Sequence, residues 1–127
     1  MPIIEPFLLI WAGFLCGAAA LAHSIMGERY LLRPLLAGKD PALDGEHARA
    51  FSRFAWHWTT VTMLLIAAVL VVAGLDGVGN RYVIAAIGAA FLAAGFYVAI
   101  VTRGRLPAWP LMLIIGALVL TSLYLTK

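Results

Sequence analysis

Charge is scarce in this chain of 127 residues. Only 12% of the residues are Asp, Glu, Lys or Arg, whereas 64% are hydrophobic. A soluble domain carries about a quarter charged residues, because its surface must stay hydrated. The composition, with a mean hydropathy of +0.99, therefore excludes an ordinary soluble domain and indicates a membrane protein.

Cysteine is almost absent as well, since Cys16 is the only one. A single cysteine excludes a disulfide within the chain and a metal centre built from several thiolates. The sequence also lacks a Gly-rich phosphate loop, an HExxH motif, a Ser-His-Asp set of catalytic character and an acidic residue in the middle of an apolar run. We therefore predict no catalytic residue and no metal site, and a transporter acting alone is disfavoured because ion coupling usually needs buried carboxylates.

What the chain has instead is four long apolar runs. Each approaches the roughly 20 residues that a helix needs to cross the hydrocarbon core of a membrane. The runs are continuous and lack the alternation of a barrel strand. We predict one all-α transmembrane domain over 1–127, an integral membrane four-helix bundle with spans at about 6–26, 54–75, 82–102 and 107–126.

Turn and capping residues lie at the ends of these runs. Pro6 fits the first turn of span one, Gly77 follows span two, and Asn80 is placed to cap span three. Pro107 and Pro110 prevent span three from continuing and begin span four. The short connection between spans two and three predicts a tight antiparallel hairpin of these two helices.

Nine of the fifteen charged residues lie in one connection, residues 27–53, between spans one and two. Its first part, ERYLLRPLLAG, is short and amphipathic, which is typical of a helix lying in the membrane interface. After a break at 38–41, Asp44 is a candidate N-cap for a helix that begins near Gly45 and continues directly into span two. Span two is therefore expected to project into water by two or more turns.

The basic residues predict the orientation. The connections after span one and after span three carry seven of the nine Lys and Arg residues. The positive-inside rule places both connections in the cytoplasm and both termini on the periplasmic side of a bacterial inner membrane. The N-terminal segment MPIIEPF lacks the basic region of a signal peptide, so we expect span one to be a permanent helix.

Two histidines are the candidates for cofactor chemistry. His23 lies about one turn before Gly27 and Glu28, and His57 lies one turn after Arg53, so both have a similar depth at the cytoplasmic ends of their spans. Two neutral imidazoles on neighbouring helices can ligate haem iron, which makes haem b the candidate cofactor. The favoured alternative is that each histidine hydrogen-bonds a carbonyl, a threonine or a lipid headgroup, and no cofactor is bound.

The charged residues near these histidines are predicted to form a polar cytoplasmic face. Its members are Glu28, Arg29, Glu46, His47, Arg49 and Arg53. A Glu28–Arg53 or Glu28–His57 pair would tie spans one and two together, and the arginines are expected to hold an anionic lipid headgroup. The net charge of +3 encodes orientation in such a protein, so no nucleic-acid partner is predicted.

Two motifs resemble known families. The string HSIMGER, residues 23–29, has the form HxxxGxR and resembles the haem-ligand motif in the cytochrome b membrane subunit of succinate dehydrogenase, although the next position, usually histidine there, is Tyr30 here. This resemblance implies haem ligation by His23 near a quinone site. The pattern HSxxGER, followed later by FAWHWT, resembles small bacterial four-span inner-membrane proteins of unknown function, and it implies location and topology only.

The leading hypothesis is a non-catalytic accessory or interaction subunit with a basic cytoplasmic face. Its expected partners are the lipid bilayer and a larger membrane complex or a second copy of the chain, since Gly13-x-x-x-Gly17 and the many small residues of span three allow close helix packing within or between chains. The alternatives are a haem b-binding redox subunit that uses His23 and His57, and a small transporter formed by oligomerisation.

Overall fold

A computed structural model describes residues 4–38, 45–77 and 79–125, and nearly all of them are helical. In chain order the elements are α1 at Ile4–Gly27, a π-helical turn at Glu28–Leu32, α2 at Arg33–Ala37, α3 at Glu46–Asp76, α4 at Arg81–Val101 and α5 at Trp109–Leu125. No strand occurs in these three described ranges. The predicted all-α bundle is confirmed.

Three helical stretches are long and apolar enough to cross a membrane, judged by length and composition over the described residues. They are Ile4–Ala37, Glu46–Asp76 and Arg81–Val101. The last helix, α5, corresponds to the fourth predicted span. It is equally apolar but has only 17 residues. At about 1.5 Å per residue it is roughly 25 Å long, which is the short end of the range for a spanning helix.

The helix contacts follow the order of the chain except between α3 and α4. α1 packs along both α3 and α5, and α4 packs along α5. Among the described residues, α3 and α4 approach each other closely at few points, although a short connection joins them. The predicted tight hairpin of spans two and three is therefore wrong.

Small residues explain this arrangement. A Cβ added at Gly13 or Gly74 would meet backbone atoms across the α1–α3 contact, and one added at Gly116 would meet the Gly88 carbonyl oxygen across the α4–α5 contact. Helix backbones in a membrane approach each other where side chains are smallest. The position of the glycines, rather than the length of the connection, decides which helices touch.

The bundle has a thin core and an apolar exterior. Cys16, Leu70 and Ile115 are fully buried where the helices meet, together with Phe91 of α4 at 9% exposure. Large apolar side chains such as Phe54 are exposed on the outside of the bundle. A surface of this kind is unfavourable in water and is suited to contact with lipid acyl chains.

The predicted helix ends are largely confirmed. The Asn80 side chain accepts from the Tyr82 and Val83 backbone N–H groups at 2.9 and 3.4 Å, and so caps α4. Gly77, with φ of 63°, ends α3 in the left-handed conformation. α3 begins directly after Gly45 and continues unbroken into span two, as predicted; Asp44 itself lies outside the described residues.

The amphipathic segment after span one is helical, but it is not a separate helix. α1 continues into it through the π-helical turn, in which the Arg33 N–H donates to the Glu28 carbonyl oxygen. Leu32 and Leu36 are buried, whereas Arg29 and Arg33 are exposed. The segment is thus helical and continuous with α1, and its placement in the membrane interface stays a prediction.

α4 ends in a cap in which arginine takes a position usually given to glycine. The Gly104 N–H donates to the Ala99 carbonyl oxygen at 2.8 Å, and the Arg103 N–H donates to the Ile100 carbonyl oxygen at 3.1 Å. This geometry requires a left-handed residue, and Arg103 has φ of 51°. A side chain in that conformation costs roughly 1–2 kcal/mol, so Arg103 weakens the end of α4.

Replacing Arg103 by glycine should therefore stabilise the protein. We expect Arg103→Gly to raise the free energy of unfolding by about 0.5–1 kcal/mol, because the Cβ penalty disappears while the unfolded chain gains some freedom. The measurement is thermal unfolding in detergent micelles, followed by far-ultraviolet circular dichroism. Gly104, with φ of 72°, gives the matched control, since Gly104→Ala should lower the midpoint. An unchanged or lower midpoint for Arg103→Gly would contradict the expectation.

Candidate functional site

The charged end of the α1–α3 contact is centred on the carboxylate of Glu28. Glu28 Oε1 lies 3.1 Å from Arg53 Nη2 and 3.6 Å from Arg33 Nε. Glu28 Oε2 lies 3.4 Å from His57 Nε2. With Ser24, these residues form what we call the Glu28 cluster. Both pairs predicted from the sequence, Glu28–Arg53 and Glu28–His57, are confirmed.

Helical spacing brings the members of the cluster together. Arg53 and His57 are four residues apart on α3 and therefore present their side chains on one face, toward α1. Ser24 on α1 and Glu28, the first residue of the π-helical turn, are also four residues apart and face them in the same way. Arg33 directly follows the π-helical turn and contacts Glu28 at the start of that turn. π-helical turns within α-helices are frequent at functional sites.

Solvent reaches the cluster unevenly. The Glu28 side chain is only 21% exposed, whereas those of Arg33 and Arg53 are 69% and 51% exposed. Ion pairs with exposed partners contribute little to stability, because water and salt screen them. The main effect of the cluster is therefore to fix the position of α3 against α1.

His57 connects α3 to α1 through both of its ring nitrogens. Its Nδ1 lies 2.9 Å from Ser24 Oγ in a hydrogen bond, and its Nε2 faces Glu28 Oε2. The Glu28 Oε2 atom is buried, and His57 Nε2 lies 3.4 Å from it.

His23 belongs to a second contact beside the cluster. Its imidazole stacks on the indole of Trp56, with ring centroids 4.3 Å apart and planes 5° from parallel. The Trp56 Nε1–H also donates to the His23 carbonyl oxygen at 3.2 Å. Gly27, one turn later on α1, leaves the space that the indole occupies, since a Cβ there would overlap the ring.

The two histidines named as haem ligands thus lie at the same end of the bundle but make different contacts. His23 lies flat on Trp56, and His57 has Ser24 at one nitrogen and Glu28 at the other. Axial ligation needs one ring nitrogen from each histidine directed at a single iron. His57 would have to give up one of its contacts to provide it, so these residues do not fit haem b as they stand, and the haem hypothesis stays a prediction.

The other residues of the predicted polar face lie apart from the cluster. Arg29 is exposed on the π-helical turn, next to Glu28 in sequence. Glu46 and His47 are exposed in the first turn of α3, about two turns before Arg53, and no contact found among the described residues joins them to Glu28. Arg49 is half-buried between these two groups and makes contacts of its own.

Two residues have roles that were not predicted from the sequence. Ser24 was part of the HSxxGER pattern, and its distance of one turn from Glu28 was the signal that it shares a face with that residue. Trp56 was predicted only to lie at the membrane interface, as aromatic residues often do. Its stacking on His23 depends on how the two helices are rotated, which a single sequence does not show.

A groove of about 290 Å³ opens beside the Glu28 cluster. Its lining residues are Ser24, Ile25, Glu28, Arg29, Arg33 and His57. It therefore combines an acidic group, two guanidinium groups and a hydroxyl group at the rim of an apolar helix pair. Such a lining can hold a small polar ligand that carries both signs of charge.

Comparison with protein-family models, with curated proteins and with solved structures finds no match for the chain. Both resemblances noted in the sequence therefore rest on their motifs alone and stay predictions.

Proposed function

We propose that the protein is a non-catalytic accessory or interaction subunit of a bacterial inner membrane, with both termini in the periplasm and the charged end in the cytoplasm. The observation that carries the proposal is the Glu28 cluster. Glu28, Arg53, His57 and Ser24 are partners of one another across the α1–α3 contact. Side chains that contact one another in this way hold helices together. The exposed charged groups around them are then available to bind a partner.

The basic residues support the proposed orientation. Arg29, Arg33 and Arg53 are exposed near the connection that follows α1 and α2, and Arg103 and Arg105 are exposed in the loop after α4. Successive spans alternate in direction, so these two connections share one side of the membrane. An excess of arginine on one side favours the cytoplasm.

A labelling experiment tests the orientation. Single cysteines are placed at Tyr82 or Arg29 in a Cys16→Ala background, and intact cells are treated with a membrane-impermeant maleimide. We expect Tyr82→Cys to react from outside and Arg29→Cys to react only after the cells are opened. The reverse pattern would overturn the orientation, and both sites are exposed, so reactivity reports side rather than burial.

A crosslinking experiment tests the role as an interaction subunit. A photoreactive amino acid replaces Phe51, which is 69% exposed on the first part of α3, or Tyr82, which is 84% exposed at the other end of the bundle. In the native membrane we expect protein adducts from position 51 and none from position 82. Lipid adducts alone at both positions would contradict the proposal, as would purification of a clean monomer after crosslinking.

A separate experiment tests the haem hypothesis. The purified protein, supplemented with haem, is examined for a Soret band, and the His23→Ala and His57→Ala variants serve as controls. A band that disappears in both variants would overturn the non-catalytic proposal and favour a redox subunit.

A further inference from the structure

A second groove follows the same two helices toward the middle of the bundle. It is apolar, measures about 510 Å³ and lies between α1 and α3. Its floor consists of small residues, among them Gly13, Gly17, Ala18 and Ala67. Even a Cβ at Gly17 would meet its nearest neighbour, Ala67 Cβ, only at 3.8 Å, so the floor is shallow without being filled.

The polar and apolar grooves follow one another along the same helices, and we refer to them together as the crevice. On α1, the lining passes from Ala18 and Leu21 in the apolar groove to Ile25 in the polar groove, in steps of three and four residues. On α3, Leu64 of the apolar groove and His57 of the polar groove are seven residues, or two turns, apart. Residues with these spacings share one helix face, so the two grooves open on the same surface.

The crevice has the dimensions of one lipid leaflet. From Gly13 to Ile25 the axis of α1 advances on the order of 18 Å, at 1.5 Å per residue. Half of a bilayer's hydrocarbon core is about 15 Å thick. An acyl chain lying along the apolar groove would therefore bring its headgroup to the polar groove.

The charges of the polar groove select the headgroup. The Glu28 side chain lines this groove, and an ammonium with N–H groups would donate to its carboxylate. Arg29 and Arg33 line the same groove, and guanidinium groups bind phosphate well. A quaternary ammonium cannot donate to Glu28, and a glycerol headgroup carries no cation to pair with it.

We propose that this crevice binds one phospholipid whose headgroup joins a primary ammonium to its phosphate. The ammonium contacts the Glu28 carboxylate, the phosphate contacts Arg29 and Arg33, and one acyl chain lies in the apolar groove. This inference rests on the proposed placement of the charged end at the membrane surface. It replaces the purely anionic headgroup expected from the arginines alone, because the groove also contains a carboxylate.

Native mass spectrometry tests the proposal. The protein is released from nanodiscs that contain phosphatidylethanolamine, phosphatidylcholine and phosphatidylglycerol in equal amounts and with matched acyl chains. We expect phosphatidylethanolamine to be retained at least fivefold over each of the other two lipids. The Glu28→Gln variant should lose this preference, whereas Arg29→Gln and Arg33→Gln should each lower the retention of all three lipids.

Two further variants separate binding from folding. Glu28→Gln leaves Arg53 without its partner, so the double variant Glu28→Gln/Arg53→Gln restores the charge balance and should lose the preference as well. Ala18→Leu fills the apolar groove and should lower the retention of every lipid. Ala90→Leu, at an exposed position of α4, is the matched control and should leave retention unchanged.

The outcomes distinguish the two proposals. Preferred retention of phosphatidylglycerol that does not depend on Glu28 would overturn this inference and leave a basic face that binds anionic lipid. Equal retention in the wild type and in Ala18→Leu would also overturn it. Displacement of the lipid by glycerophosphoethanolamine, which lacks acyl chains, would show a headgroup site without the apolar part. The crosslinking result at Phe51 decides the interaction role independently of all three.

Discussion

A methyl group at Gly27 is expected to break the contact between α1 and α3 at the charged end. The Cβ of Gly27→Ala would overlap the Trp56 indole, which is fixed by its stacking on His23 and its hydrogen bond to the His23 carbonyl oxygen. The ring cannot move without losing both contacts. Overpacking and the loss of one hydrogen bond and one aromatic pair outweigh the gain in helix propensity, so we expect a net destabilisation of about 2–3 kcal/mol.

The measurement is unfolding of the detergent-solubilised protein, with near-ultraviolet circular dichroism as a report on tryptophan packing. A double-mutant cycle gives the control. Trp56→Leu removes the ring that the new methyl group meets, so Gly27→Ala should cost much less in the Trp56→Leu background than in the wild type. Equal costs in both backgrounds would show that the indole is not what excludes a side chain at Gly27.

The two glycines of the Gly13-x-x-x-Gly17 motif are expected to respond in opposite ways to the same substitution. A Cβ at Gly13 would lie 2.8 Å from the Ala67 carbonyl oxygen and 2.6 Å from Val71 Cγ2. A backbone carbonyl cannot rotate away as a side chain can, so α1 and α3 must separate. We expect Gly13→Ala to destabilise the protein by about 1–3 kcal/mol.

Gly17→Ala is the matched control on the same helix. Its Cβ would meet Ala67 Cβ at an ordinary 3.8 Å, and alanine favours a helix over glycine, so the variant should be neutral or more stable by up to about 1 kcal/mol. Both variants are compared by thermal unfolding in detergent micelles. If Gly17→Ala proved as damaging as Gly13→Ala in the membrane but not in detergent, Gly17 would face a second chain rather than α3.

Local features of the fold could be predicted from the sequence because short-range chemistry decides them. Asn80 caps α4 through its own side chain, and Gly77 ends α3 because it adopts a left-handed conformation. The Glu28–Arg53 pair was also predictable, since both residues lie just outside the two apolar spans that one connection joins. In each case the partner is near in sequence or its depth in the membrane is set by the length of a span.

Features that depend on helix rotation could not be predicted. The stacking of His23 on Trp56, the hydrogen bond between Ser24 and His57, and the separation of α3 from α4 all follow from which faces meet. That choice is made by the tight contacts of Gly13 and Gly27, and the sequence contains many other small residues that look equivalent. A single helical turn can contain several small residues, so the sequence composition does not show at which of them two helices touch.

The order in which the helices pair also bears on how the protein is made. α1 packs along α3, and α4 packs along α5, so each close pair consists of two consecutive hydrophobic segments of the growing chain. The first pair can form as soon as its second helix leaves the insertion machinery, before α4 is synthesised. The second pair then joins it through the contact of α5 with α1. The pairing therefore allows the protein to assemble in two steps, because α3 and α4 approach each other closely at few points.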